Sequence, residues 1–153
     1  NISLDISRQL LLHSLPTFPE GCGKKTFRSL YQLNEKLKSG SFATVCRATH
    51  RATTKCVAVK CIQRCKLSPT DDVAVISEVD ILSSIKHNRI CPLYDFFIEP
   101  KHYFIVMEYM EGGDVFDRVG TLKNYNEEVA RNVVFELLNA LQYLHRNNIA
   151  HCD

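Results

Sequence analysis

Lys60 is the one cation in the apolar run Cys56-Val57-Ala58-Val59-Lys60-Cys61-Ile62. A buried ammonium needs an anionic partner or it gives up its proton. Glu78 lies on the helix expected next, between Ile76 and Val79, where an unpaired carboxylate would also be costly. A Lys60–Glu78 pair solves both problems and holds an amine ready for a phosphate. Upstream, Ser39-Gly40-Ser41 reads as a turn between two strands. Without a Cβ at Gly40, a backbone N–H can approach a phosphate closely. On residue types alone, a lysine on a strand is more often one that snorkels out of it than a catalytic one.

The elements that must hold these groups follow from the pattern. Residues 1–28 read as an extension or linker: Leu10 to Leu15 could form a short helix, and Pro16, Pro19, Gly21 and Gly23 then break any regular pattern. Tyr31, Leu33, Glu35 and Leu37 alternate as a strand, and Thr44 to Thr49 returns as its hairpin partner. The run around Lys60 is β-branched and apolar, which suits a strand covered on both faces. Ser68-Pro69-Thr70-Asp71-Asp72 starts a helix with a capping hydroxyl and two first-turn acids. Val75, Val79, Leu82 and Ile85 give that helix its apolar face, and His87 to Arg89 should end it. Ile90–Ile98 and His102–Met107 read as two more strands. After Gly112-Gly113 come a short helix from Asp114 to about Val119 and a long one opened by Asn126-Glu127-Glu128. Val134, Leu137, Leu138, Leu141 and Leu144 form the long helix's apolar stripe. The order predicts an α+β unit, a five-stranded antiparallel sheet plus one helix, followed by the first helices of a helical domain.

Composition narrows the function classes. The 153 residues carry 19 Lys and Arg against 17 Asp and Glu, so the net charge of +2 gives no support to a nucleic-acid or membrane binder. A hydrophobic fraction of 45% argues against disorder, and no apolar run approaches the ~20 residues of a membrane span. Seven cysteines without a C-x-x-C pair read as reduced thiols, with a metal site at Cys56, Cys61 and Cys65 as the alternative. Reduced thiols imply a cytoplasmic or nuclear location. A start at Asn1 rather than Met suggests a chain already cut at that end.

Several stretches occur together in one order: Leu37 to Val45, Val57-Ala58-Val59-Lys60, Glu78, Met107-Glu108-Tyr109-Met110-Glu111-Gly112-Gly113 and His151-Cys152-Asp153. In this the chain resembles the eukaryotic protein kinases from about Tyr31 to Asp153. Gly-Gly-Asp-Val-Phe-Asp-Arg after the hinge, and Leu141-Gln142-Tyr143-Leu144-His145, are most similar to the calcium/calmodulin-dependent, Ser/Thr-specific group. The resemblance implies a kinase small lobe with its hinge over residues 29–110 and the start of the large lobe over 111–153. It implies that Lys60 contacts the α- and β-phosphates of ATP and that Glu78 orients it. Gly40, with Ser41 and Phe42 at the tip of its loop, should cover the phosphates. Leu37, Val45 and Ala58 should line the adenine site, with Met107 behind the purine. The Glu108 carbonyl and Met110 amide should bond the base, and Asp114 the ribose. Asp153 resembles the aspartate that accepts the substrate hydroxyl proton. Leu82, Leu93 and His151 fall where the family stacks a packing column. Several of these residues also have plainer readings: Leu82, Leu93, Val45 and Ala58 as core, Asp114 as a helix cap, Met107 as packing and His151 as a hydrogen-bonded core histidine.

By the same resemblance the partners are protein substrates, with arginine upstream of the target residue, and a regulator such as calmodulin. The Mg²⁺ ligands are expected beyond Asp153. Three positions depart from the pattern. Lys38 and Ala43 stand where the family has glycines, and Cys152 where it has the arginine of His-Arg-Asp. These departures keep a pseudokinase, a scaffold without transfer chemistry, as the alternative. Residues 1–153 by themselves are expected to transfer no phosphate. Turnover of a peptide by this stretch, abolished by Lys60→Met, is the observation that would refute this.

Overall fold

The computed structural model describes residues 25–115 and 126–151. Helix α1 (Phe27–Leu30) leads into β1 (Tyr31–Ser39), β2 (Ala43–His50) and β3 (Cys56–Gln63). A 3-10 turn (Arg64–Lys66) precedes α2 (Pro69–Ser84), then β4 (Leu93–Ile98) and β5 (His102–Glu108); α3 (Glu127–Arg146) follows. The strands form one antiparallel sheet in the order β1-β2-β3-β5-β4.

The period of two divides β3 between two cores. Val57 and Val59 point to one face, where they pack with Phe27, Tyr31, Ala48, Phe104 and Val106. Ile62 points to the other, where Val75 and Val79 of α2 cover it together with Tyr103 and Ile105. Helix α2 begins where the sequence places it. The Ser68 hydroxyl accepts the Asp71 N–H, and the Asp71 carboxylate accepts the Ser68 N–H in return. This reciprocal cap holds the Asp71 carboxyl below its usual range, chiefly through the Ser68 hydroxyl. The helix ends at Ser84, before the expected His87, because Ile85 turns to extended backbone.

Three expectations are corrected. Phe27, assigned from sequence to the extension, is wholly buried, stacked at 4.2 Å on Phe104 and at 5.5 Å on Tyr31. A single aromatic after a Pro/Gly-rich stretch carries no periodicity to reveal it. The fourth strand starts at Leu93 rather than Ile90, since Pro92 has no N–H to give a ladder. On α3, only Ala140 and Leu144 are buried, while Val134, Leu137 and Leu138 are exposed. Among the described residues, nothing packs over that part of the stripe. The helix expected at Leu10–Leu15, and most of the one expected at 114–119, lie outside the described residues.

Phe27→Ala in the full-length protein is expected to lower the unfolding free energy by about 3–5 kcal/mol. Urea unfolding measures it, and a loss under about 1 kcal/mol would show that α1 is not part of this core.

Candidate active site

Cross-strand register collects the expected site residues on one face of the sheet. Val45 pairs with Lys60 and Lys60 with Ile105; Ala58 pairs with Met107. Directly opposed residues share a face, so Val45, Ala58, Lys60 and Met107 lie together on the side that α2 covers. Ala58 is buried, and Met107 packs against the Ile62–Val75–Val79 cluster.

The Lys60 ammonium donates to both carboxylate oxygens of Glu78, at 2.8 Å to Oε1 and 3.1 Å to Oε2. The lysine is not buried as its neighbours suggested: its side chain is 30% exposed and that of Glu78 is 45%. Its stem lies over the sheet and carries the amine out to the edge of α2. At this exposure the pair contributes no more than about 1 kcal/mol to stability. What it fixes is the position of an amine.

The turn between β1 and β2 is closed on itself. The Gly40 N–H donates to the Ala43 carbonyl at 2.8 Å, so any phosphate contact falls to the amides that follow. A Cβ at Gly40 would meet only that carbonyl, at 3.5 Å, an ordinary contact. The turn itself therefore does not require glycine. Phe42 projects from the tip, 54% exposed, with its carbonyl accepting the Gln63 N–H at 3.3 Å. Ser41, Leu37 and Met110 are also exposed.

At the strand end, the Glu108 N–H donates to the Pro92 carbonyl at 3.3 Å. Its carbonyl accepts the Cys91 thiol, a weak donor, at 3.7 Å, and a carbonyl oxygen has two lone pairs. Burial raises the Cys91 thiol's pKa. Cys61, next to Lys60 in the chain, packs on the opposite face, where burial pushes its thiol up to about 12. Among the described residues, no group of three or more His, Cys, Asp or Glu side chains is arranged to hold a metal ion.

Two cations make contacts that were not foreseen. Lys38 reaches across to Asp114, the carboxylate expected at the ribose, at 3.5 Å, and both groups are largely exposed. Arg47, opposite Ala58, donates through Nε to Cys56 Sγ at 3.0 Å and through Nη1 to Glu35 at 2.8 Å. Its guanidinium lies 5.6 Å from the Tyr109 ring centre, which ties β2 to the segment after β5. The Cys56 contact is the main reason that the Arg47 pKa is raised. The alternation of Val45 and Arg47 was a signal for this placement. Leu82 and Leu93 are half-buried, and Leu93 packs against the cluster under α2. His151 is exposed rather than a core histidine. Cys152 and Asp153 lie outside the described residues.

A five-stranded antiparallel sheet, crossed by one helix whose glutamate holds a lysine of the third strand, defines the small lobe of the protein-kinase fold. The family model "Protein kinase domain" matches residues 31–153. Calcium/calmodulin-dependent protein kinase type 1B of Rattus norvegicus is 37% identical over 125 residues, 82% of this chain and 36% of that protein. Serine/threonine-protein kinase ULK3 of the same species is 37% identical over 122 residues, 79% of this chain and 26% of that protein. The crystal structure of Rad53 1-466 in complex with AMP-PNP superposes with a TM-score of 0.73 at 33% identity, covering 85% of this chain and 34% of that one. The chain belongs to the protein kinase family, among relatives named as Ser/Thr kinases. It spans about a third or less of the length of those relatives.

Glu78→Gln is expected to change the unfolding free energy by no more than about 1 kcal/mol. A loss of several kcal/mol in chemical denaturation would show that the pair supports the fold rather than the position of the amine.

Proposed function

We propose that the parent protein transfers the γ-phosphoryl group of ATP to Ser or Thr hydroxyls of protein substrates. The observation that carries this reading is the Lys60–Glu78 pair, an amine held by both carboxylate oxygens on the face shared with Val45 and Ala58. Lys60 holds the α- and β-phosphates, and Glu78 keeps the amine from swinging away. Val45, Ala58, Leu37 and Met107 surround the adenine, while the Glu108 carbonyl and the Met110 N–H bond its edge. Asp114 meets the ribose, and Gly40, Ser41 and Phe42 cover the phosphates. Asp153 accepts the proton of the attacking hydroxyl. The pre-set charge of Lys60 lowers the barrier by meeting a nucleotide already in place. Mg²⁺, with its ligands expected beyond Asp153, would supply positive charge to offset that of the phosphates. Asp114 and Glu111 favour substrates with arginine upstream of the target, and a regulator such as calmodulin would bind outside residues 25–151. The free thiols of Cys46, Cys56, Cys61, Cys65 and Cys91 suit a reducing, cytoplasmic setting.

One observation favours a scaffold instead. Lys38 already pairs with Asp114, the carboxylate that the ribose needs. The test uses full-length protein, Mg-ATP and a peptide with arginine N-terminal to its serine. Lys60→Met and Asp153→Asn are each expected to lower kcat/KM at least about a hundredfold, within the range for loss of a positioned catalytic group. A wild-type protein that folds but transfers nothing would overturn the enzyme reading in favour of the scaffold.

A further inference from the structure

Arg47 carries none of the proposed chemistry, yet it stands beside it. Its register partner is Ala58, and Ala58 pairs in turn with Met107, so the three form one row across β2, β3 and β5. Directly opposed residues share a face, which puts the Arg47 side chain on the face expected to hold the base. Three groups fix it there. Cys56 Sγ accepts from Nε at 3.0 Å, and the Glu35 carboxylate accepts from Nη1 at 2.8 Å. The Tyr109 ring centre lies 5.6 Å from the guanidinium carbon, within the range of a cation–π contact.

Each partner comes from a different part of the sheet. Glu35 belongs to β1, whose ladder with β2 slips between Leu33 and Lys36. An irregularity of that kind re-aims a side chain. Cys56 is the first residue of β3. Tyr109 is the first residue past β5, whose ladder with β3 ends at Glu108 opposite Val57. Arginine suits such a post: its flat fork can donate to two acceptors and still offer a face to a ring.

The place of Tyr109 matters because of its neighbours. The Glu108 carbonyl and the Met110 N–H are the two groups assigned to the edge of the base. The ladder holds Glu108, while Met110 lies beyond the last strand and is exposed. Tyr109 joins the two, so a fixed ring at 109 restricts the backbone that sets their spacing. A donor and acceptor already in place cost a ligand less than groups that must be ordered on binding.

We infer that Arg47 is a positioning residue for the nucleotide base: held by Glu35 and Cys56, it fixes the Tyr109 ring and so presets the Met110 N–H beside the Glu108 carbonyl. This rests on the reading of the site as an adenine site, and it gives Arg47 no contact with the nucleotide. Adenosine is the probe, because it is neutral and has no phosphate, so a lost positive charge does not by itself weaken it. Calorimetry on the full-length protein should show Arg47→Met and Tyr109→Ala each weakening adenosine about two- to fivefold, the worth of a part-exposed cation–π contact. Tyr109→Phe keeps the ring and should bind as the wild type does. Arg47→Met combined with Tyr109→Ala should be no weaker than the weaker single variant, since both remove one contact. With Mg-ATP and the peptide substrate, Arg47→Met should raise KM for ATP by at least the same factor and leave kcat unchanged. Adenosine affinity changed less than about twofold by both single variants would overturn the inference and leave the adenine site standing. So would losses that add in full in the double variant, a loss in Tyr109→Phe equal to that in Tyr109→Ala, or a kcat that falls as far as affinity. A folded wild type that binds neither adenosine nor ATP would overturn the adenine site and this inference with it.

Discussion

The contact between Lys60 and Glu78 is weak as a source of stability and strict as a source of position. Each group is part-exposed, so water competes for both charges. Yet the bidentate geometry leaves the amine one place to be. Two further elements are needed for it. The register of β3 between β2 and β5 must point Lys60 toward α2, because a one-residue slip would turn it to the aromatic face. Helix α2 must also start at Ser68, so that Val75 and Val79 meet the sheet and Glu78 falls beside the lysine.

Much of this was legible in the chain. The β-branched run around Lys60 marked a covered strand, and Ser68 with Asp71 marked the helix start, because both signals are local. The Lys60–Glu78 pair could be inferred because each charge, placed among apolar neighbours, needed the other. What the sequence hid was set by long-range contact. Phe27 becomes core only through Phe104 and Tyr31, which meet it across the sheet. Lys38 finds Asp114 76 residues away. The Gly40 N–H is taken up by its own turn, a detail of backbone geometry that no residue type announces. The leucines of α3 showed periodicity, but periodicity says that a face is apolar, not what covers it.

The two sides of the sheet are chemically different. One holds aromatic rings stacked from α1 through β5. The other holds the contacts under α2, aliphatic apart from the stacked pair Phe96 and Tyr103, and the polar groups of the candidate active site. The stacked face thus lies behind the face that carries the site, a division suited to a site built on a packed support.

Beyond the end of α2, the chain is fastened to α3. The Lys86 N–H donates to the Tyr143 hydroxyl at 3.1 Å, and the His87 ring stacks on Tyr143 at 4.8 Å. Arg89 grips the Glu136 carboxylate with two nitrogens, at 2.6 and 2.7 Å. The far end of α2 is held too, by its own cap and through Asp72, which accepts the Tyr103 hydroxyl of β5 at 2.6 Å and lies 3.7 Å from Arg64. The helix is therefore pinned at both ends, with Glu78 on the span between them. Six residues, about 9 Å along the axis, separate Glu78 from Ser84, so a tilt of roughly 10° about that end would carry its carboxylate about 1.5 Å, and the Asp72 contacts oppose such a tilt.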